Sequence, residues 1–416
     1  MTEPFPMKVA VVDPSLFTIP YDGALCDALA RQGCEVGLFG RTLRGTESAV
    51  GVTPIRPFFY RVSERLLHGR LPPAAFRLAK GAEHALDMLR LRRHLARRFR
   101  PDVIHFQWAP LPAIDRRVAA AFRGVAPTVL TVHDSRPFNG APPSRLQQLG
   151  ATTLFGAFDH LIVHTEAARG HLLGQGIPAT RVSVIPHGLL PTAVAVAPQV
   201  TAAAGQGSGG DGRRTILLFG KVRPYKGLDV LVEAYARLPA ALRDAARLRI
   251  VGEPLMPLDA VRARIAELGI EHDVEWDLRY VGDAEIGTIL GAADILAFPY
   301  RDIDASGVLM SAVPHGKPVV ASSLGVFAAM LTDGVHGRLV PPNDPAALAD
   351  ALASLIADPA AAHRMGDAVR TLAGQVPGWD DIAGRTINLY RRLIEHRRVE
   401  PPAEAIAQGQ VIADRT

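Results

Sequence analysis

Asp294–Ser323, DILAFPYRDIDASGVLMSAVPHGKPVVASS, decides how this chain is read. Ile295–Pro299 is an apolar run of strand length, suited to a parallel strand covered on both faces. Tyr300–Gly307 is polar, carries Asp302, Asp304 and Ser306, and closes on a glycine. Val308–Pro314 reads as a short apolar helix stopped by Pro314 and Gly316, and Val319–Ser322 as the next strand. In a doubly wound sheet this order sets acidic and hydroxyl side chains at a strand's carboxyl end, beside the free N–H groups of a helix start. Ligands bind in such a place, and helix starts favour anions. The stretch reads as half of a site for a phosphorylated, polyhydroxylated ligand.

The same grammar extends outward. Thr215–Phe219 is a strand that runs into Gly220-Lys221-Val222-Arg223-Pro224-Tyr225-Lys226-Gly227 and then a helix, Leu228–Leu238. Three cations in a strand-to-helix loop form a candidate phosphate clamp, the plain alternative being a solvated basic turn. Strands are expected at Leu248–Val251 and Val274–Leu278. Helices are expected at Val261–Leu268, from an Asp283 N-cap through Ala292, and at Pro345–Ile356, Ala360–Leu372 and Trp379–Arg398.

Upstream, Lys8–Val12, the helix Tyr21–Gln32 and Glu35–Phe39 make a βαβ opening. Asp102–Phe106, Thr128–Val132, Leu161–Val163 and Arg181–Ile185 continue the strands. The loop DPSLFTIPYDG (13–23) lacks the spaced glycines of a dinucleotide fingerprint, which argues against a classical NAD site. His133-Asp134 follows a strand, where α/β enzymes keep working residues; alone, a loop histidine that caps the sheet is the commoner case. Thr165 is placed to cap the helix Glu166–Gln175.

Residues 191–213 are small and polar, a linker. The organisation expected is therefore a Rossmann-like domain at 1–190, the linker at 191–213 and a second Rossmann-like domain at 214–376. A C-terminal helix at 377–398 is expected to pack back towards the first domain, with a mobile tail at 399–416. The fold class is α/β, two Rossmann-like domains facing across a cleft and closing by hinge motion.

Composition agrees with a globular chain. Its 416 residues suggest two or three domains at about 150 each. The net charge of +5, from 46 Lys+Arg against 41 Asp+Glu, is too small to argue for nucleic acid, and no nucleic-acid motif supports one. Cys26 and Cys34 suggest no disulfide framework. The first strand begins at Lys8, which leaves no room for a signal peptide, and no apolar run approaches the ~18 residues of a membrane span. A cytoplasmic location is expected. Residues 61–100 hold 11 Lys and Arg against Glu64, Glu83 and Asp87, with a partly helical leucine stripe from Ala82 to Phe99. Such a segment suits peripheral contact with an anionic membrane at its inner face; the bland alternative is the solvated face of an ordinary helix.

Taken together, LLFGKVRPYKGLDVLVEAYARL (217–238), RYVGDAEIGTILGAADILAFPY (279–300), SGVLMSAVPHGKPVVAS (306–322), GRLVPPNDPAALADAL (337–352), VIPHG (184–188) and TVHDSRPFNG (131–140) resemble the GT-B glycosyltransferases of retaining family 4, glycosyltransferase group 1. The resemblance spans Lys8 to Arg398. It implies a nucleotide-sugar donor held mainly by the C-terminal domain and a saccharide or lipid-linked acceptor held mainly by the N-terminal one. Lys221 and Lys226 match the family's basic residues on the donor diphosphate, with Arg223 an added candidate and Gly307 and Val308 supplying N–H groups. His133 matches the histidine beside the transferred sugar, with Asp134, Asp302, Asp304 and Ser306 as further sugar contacts. Tyr280, Val281, Leu309 and Ser311 fall at the nucleoside. His133, Lys221 and Lys226 are the residues expected to carry catalysis.

Two positions depart from the family. Its pair of glutamates eight residues apart is replaced by Ile303 and Ser311. Asp302 or Asp304 could take the first role, while a serine is a weaker ribose anchor than a carboxylate. The implied reaction transfers a glycosyl group with retention, and the departing phosphate helps to deprotonate the acceptor. No cofactor is expected beyond the nucleotide-sugar co-substrate, and no metal, because cations already cover the diphosphate. Two rival readings stay open. One is a GT-B sugar-nucleotide epimerase or hydrolase, drawing on Asp13, Asp134, Asp302 or Asp304. The other is a catalytically silent nucleotide-sugar binder.

Overall fold

A computed structural model describes residues 6–45, 47, 51–67, 70–135, 151–190 and 212–399. Arg136–Gly140 of the histidine loop, nearly all of the expected linker and the tail from 400 onward lie outside the described residues. The chain forms two compact units. The first takes the described residues up to Ser135, those from 151 to Gly188 and those from Gly378 onward; the second takes Leu189 to Pro377.

The first unit is a seven-stranded sheet, parallel throughout, ordered β3-β2-β1-β4-β5-β6-β7. Its strands are β1 (Lys8–Val12), β2 (Glu35–Arg41), β3 (Ile55–Phe59), β4 (Val103–Phe106), β5 (Thr128–Thr131), β6 (His160–Val163) and β7 (Val182–Val184). Val9–Val12 are fully buried, as a β-branched strand with helices on both faces requires. Helices α1 (Ile19–Arg31), α2 (Pro73–His94), α3 (Pro112–Phe122) and α4 (Glu166–Gly174) cover the sheet. α1 carries Pro20 and Asp22 in its first turn and Arg31 in its last, each matched to the helix dipole. α4 is capped by Thr165, whose hydroxyl accepts from the Ala168 N–H. The strand order reverses between β1 and β4, which opens a crevice at their carboxyl ends.

The second unit repeats the plan with six parallel strands ordered β10-β9-β8-β11-β12-β13. These are β8 (Arg214–Phe219), β9 (Ala246–Val251), β10 (Val274–Asp277), β11 (Ile295–Phe298), β12 (Val319–Ser322) and β13 (Gly337–Val340). The helices are α5 (Leu228–Ala236), α6 (Asp259–Glu267), α7 (Asp283–Gly291), α8 (Gly307–Ala312), α9 (Gly325–Met330), α10 (Pro345–Ala357) and α11 (Pro359–Ala373). Alternate residues of β8 feed two cores. Ile216 and Leu218 pack with Leu231 and Leu352 on one face, Leu217 and Phe219 with Phe298, Met310 and Phe327 on the other.

The last helix, α12 (Trp379–Val399), belongs to the first unit and lies along α1. Arg31 pairs with Asp380 at 2.7 Å, and the buried Tyr390 hydroxyl meets His105 Nδ1 at 2.6 Å. Gly188 admits the Trp379 ring, which a Cβ there would approach to 2.8 Å.

Several elements differ from the sequence expectation. β3 carries Pro57, which argues against a strand, but β3 is a sheet edge, where a missing N–H costs nothing. α3 (PAIDRRVAAAF) starts on a proline and buries Val118, Ala119 and Phe122 on one face, but Asp115 sits on that face too and interrupts the apolar pattern. β13 and α9 are too short for periodicity to show. α2 begins at Pro73, well before Ala82, because Pro72-Pro73 supplies the start. Asp283 is not the cap of α7: Gly282 occupies that position and Asp283 is the first helical residue. The helix expected at Val308–Pro314 runs from Gly307 to Ala312 and then tightens into a 3₁₀ turn that Gly316 closes at φ +59°. Among the described residues no helix is long and apolar enough to cross a membrane.

Candidate active site

In the second unit, the loop after β8 folds against the end of β11. Gly227 sits at φ +66°, and a Cβ on it would come within 2.0 Å of the Pro299 carbonyl oxygen, so only glycine allows this approach. Gly220 serves in the same way, since a Cβ there would lie 2.8 Å from Lys226 Nζ and 3.0 Å from Val308. The loop therefore brings Lys226 beside the start of α8. Lys226 is buried, donates to the Phe219 carbonyl at 2.8 Å and lies 5.3 Å from the Tyr300 ring centre. Burial, reinforced by Arg223 and Lys221, pulls its pKa down to about 7. Among the described residues no carboxylate pairs with it.

Arg301, absent from the expected site, ties the two loops together. It donates to Asn343 Oδ1 at 2.7 Å, to the Pro224 carbonyl at 2.8 Å and to Asp229 Oδ2 at 2.5 Å, while its N–H bonds the Tyr225 carbonyl. Its only signal in the sequence is its place just after a buried strand.

The loop from Asp302 divides by role. Ser306 is buried, and its hydroxyl accepts from the Leu309 N–H at 3.2 Å, capping α8. That hydroxyl, expected on the donor sugar, uses one lone pair on the helix and keeps its O–H as a donor. The Leu309 side chain, expected at the nucleoside, is fully buried in the core with Phe219 and Phe298, because the helix must bury an apolar face. Gly307 and Val308 present first-turn N–H groups with no partner among the described residues. Asp302 and Asp304 are half-buried, as are Tyr280 and Val281, while Ser311 is buried.

In the first unit, four neighbouring strands end in polar residues: Gln107 after β4, His133 after β5, His164 after β6 and His187 after β7. Trp108 stacks on His133 at 5.3 Å and 15°, and Tyr21 of α1 meets His133 and His187 edge-on, both at 4.9 Å. Burial first, then the neighbouring histidines, holds His133 well below the usual imidazole range. The same causes bring His187 to about 3. His133 and His187 are neutral at physiological pH.

His164 Nδ1 lies 3.0 Å from the Ile185 carbonyl and donates to it. His133 is held between two partners: its Nδ1 lies 3.3 Å from His164 Nε2, and its Nε2 lies 3.2 Å from Gln107 Oε1, an acceptor to which Nε2–H donates. Gln107 and His164 thus orient His133 from both sides. Neither is marked by any motif; only the register of adjacent strands brings them together.

Asp13, a candidate acid or base in one rival reading, is fully buried. It accepts from the N–H groups of Ser15, Phe17 and Thr18 at 3.1, 2.7 and 3.4 Å. Its neighbour Asp22 is equally buried, and burial, then Asp13's charge, raises its pKa well above the carboxylate range. The three accepted N–H bonds give Asp13 a part in shaping the loop after β1.

The comparisons with known proteins point one way. Residues 213–358 match the family model described as glycosyl transferases group 1, and residues 23–191 match glycosyltransferase family 4. The D-inositol 3-phosphate glycosyltransferase of Kineococcus radiotolerans is 29% identical over 91% of both chains. That of Kribbella flavida is 30% identical over 72% of this chain and 73% of its own. Sucrose-phosphate synthase from Thermosynechococcus elongatus has the same fold at a TM-score of 0.71 and 20% identity, covering 94% of this chain and all of that one. Anabaena HepE, solved in complex with UDP and glucose, follows at 0.67 and 19%, covering 93% of this chain and 100% of its own. With two parallel α/β units and family matches on both, this chain belongs to the family 4 glycosyltransferases of GT-B fold.

Proposed function

We propose that this glycosyltransferase takes its sugar from a nucleotide-sugar donor, a UDP- or GDP-sugar, and delivers it with retention to an acceptor hydroxyl in polysaccharide, lipid-linked saccharide or glycoconjugate biosynthesis. One observation carries the donor reading. Lys226 is a dehydrated amine with two cations beside it and, among the described residues, no carboxylate partner, so an arriving diphosphate restores its charge. As the anomeric bond breaks, negative charge grows on the departing diphosphate. Lys221, Arg223, Lys226 and the N–H groups of Gly307 and Val308 are the groups that would stabilise it. His133 would meet the transferred sugar as a neutral, fixed imidazole rather than as a proton donor. The cations make a metal unnecessary in this reading, and full turnover in the presence of EDTA is expected.

The complexes of HepE with UDP and with UDP-glucose favour a uridine diphosphate sugar as the first to test. A thermal-shift screen against UDP, GDP, dTDP and ADP reads the base directly, because a ligand at 100 times its Kd adds about 2.7 kcal/mol. NMR of the product then reports the anomeric configuration. A flat response to all four, with no turnover, would replace this reading with the silent-binder one.

The acceptor reading includes a membrane. α2 exposes Leu78, Leu86 and Leu89 to 69%, 54% and 55%, and helical spacing sets them on one stripe with Ala82 and Arg93. Arg90 and Arg97 flank that stripe, an arrangement that suits an anionic bilayer. Leu86→Glu with Leu89→Glu should abolish binding to anionic vesicles; unchanged binding would remove this part.

A further inference from the structure

We infer a second anion site in the first unit, for a phosphate-bearing ligand, held between Arg123, Arg181, Arg392 and Arg397 at the amino ends of β5–β7. These residues line a cavity of about 680 Å³ together with Asp159 and His160. Four guanidinium groups face one carboxylate there, and Asp159 is already paired with Arg123 at 2.9 Å.

The arginines are held, not merely present. Arg123 donates to the Phe158 carbonyl at 2.9 Å, and Arg181 donates to the carbonyls of Gly156, Phe158 and Asp159. Arg397, from α12, donates to the Arg123 carbonyl. Main-chain oxygens thus orient Arg181 and Arg397 without neutralising them, and Arg123 alone is offset by Asp159. Arg392 stands one helical turn before His396 and makes no hydrogen bond or ion pair among the described residues, so capping of carbonyls does not account for it. The field inside is visible on its neighbours. Burial, then Arg392 and Arg181, brings His160 down to about 4, and burial with Arg123 lowers Arg181 itself. Such a concentration of fixed guanidinium groups matches the bidentate oxygens of a phosphate.

This is not the site already described. His160 opens β6 and His164 follows its far end, so roughly 13 Å of strand separates the two. The cavity is larger than a lone phosphate needs and admits the group that the phosphate is attached to. Its source is either a soluble phosphorylated compound or the headgroup of an anionic lipid.

The test is calorimetric titration of the full chain with pyrophosphate at fixed ionic strength. Arg392→Glu should weaken binding by about tenfold or more and Arg392→Lys by less, since an ammonium keeps the charge but not the fork; the exposed side chain holds nothing in the fold. Lys221→Ala, which alters only the other unit's loop, should leave the Arg392-dependent heat in place. The imidazole resonance of His160 should titrate at higher pH once pyrophosphate is bound. Equal binding by wild type and Arg392→Glu, with His160 unmoved, overturns the site, as does the absence of any binding up to about 10 mM. Vesicles of phosphatidylcholine with about 30% phosphatidylglycerol separate the sources. If Arg392→Glu also loses the vesicles and pyrophosphate competes for them, the ligand is a headgroup; if only pyrophosphate binding falls, it is soluble.

Discussion

Replacing Lys226 with methionine should stabilise the ligand-free protein while removing its activity. The folded chain holds this amine at about 7, from an ordinary 10.5. Between those pH values the unfolded chain binds a proton that the folded chain has shed. Stability therefore rises with pH across the window, by about 1.4 kcal/mol per pH unit, and the full penalty is present at and below its lower edge. The ceiling is about 5 kcal/mol at pH 7, falling to about 2 kcal/mol at pH 9. Methionine fills the same space without the charge but forfeits the bond to Phe219, worth about 1 kcal/mol. A net gain of roughly 2–4 kcal/mol is expected at pH 7, shrinking towards pH 9. Urea unfolding of both proteins at the two pH values measures it. In parallel, kcat/KM should fall by about 100-fold or more. A methionine variant less stable than wild type at pH 7, or a difference that does not change with pH, would show that Lys226 is an ordinary packed side chain. The same logic applies to ligands: affinity for a diphosphate should decline above pH 7, by up to about tenfold per pH unit.

Further expectations follow from the first unit and from Arg301. Asp22→Asn keeps a donor to Asp13 and should be tolerated; its advantage over wild type should grow as pH rises above the usual carboxyl range, because the folded wild type holds a proton that the unfolded chain sheds. Asp13→Ala strands the buried Ser15 N–H and the part-buried N–H groups of Phe17 and Thr18 and should cost about 1–3 kcal/mol in denaturant unfolding. His133→Ala should lower kcat with donor affinity kept, and Gln107→Leu should lower kcat less; unchanged turnover in both would reduce the histidine cluster to packing. Arg301→Ala should lower kcat/KM by about tenfold or more without loss of fold, since it joins two loops rather than filling a core.

The parts of this molecule that sequence shows best are those that repeat a local rule. Buried β-branched runs such as KVAVV and TILLF, each followed by a polar loop and a helix, announce parallel sheets, and the loop after β8 displays its three cations in order. What stays hidden depends on neighbours. Pro57 reads as a strand breaker until β3 is known to be an edge. Nothing in SGVL shows that the Ser306 hydroxyl will also cap the next turn. Leu309 turns inward for the same reason that its helix exists. Gln107, His133 and His164 lie 26 and 31 residues apart, and only the pairing of β4, β5 and β6 makes them one group. Arg301 likewise has its meaning in Asn343 and Asp229, one far downstream and the other far upstream.

The return of α12 to the first unit has a consequence for synthesis. On a ribosome the amino-terminal sheet emerges first, yet Tyr21, Cys26 and His105 lack their cover until Tyr390 and Trp379 appear, the last strand of the other unit having long since left the tunnel. Domains ordinarily mature in the order in which they are made. Here the second unit is complete first, and the first must wait with a bare face. A nascent chain stalled near residue 377 should therefore expose that face to chaperones, and the C-terminal helix supplied in trans should be able to close it.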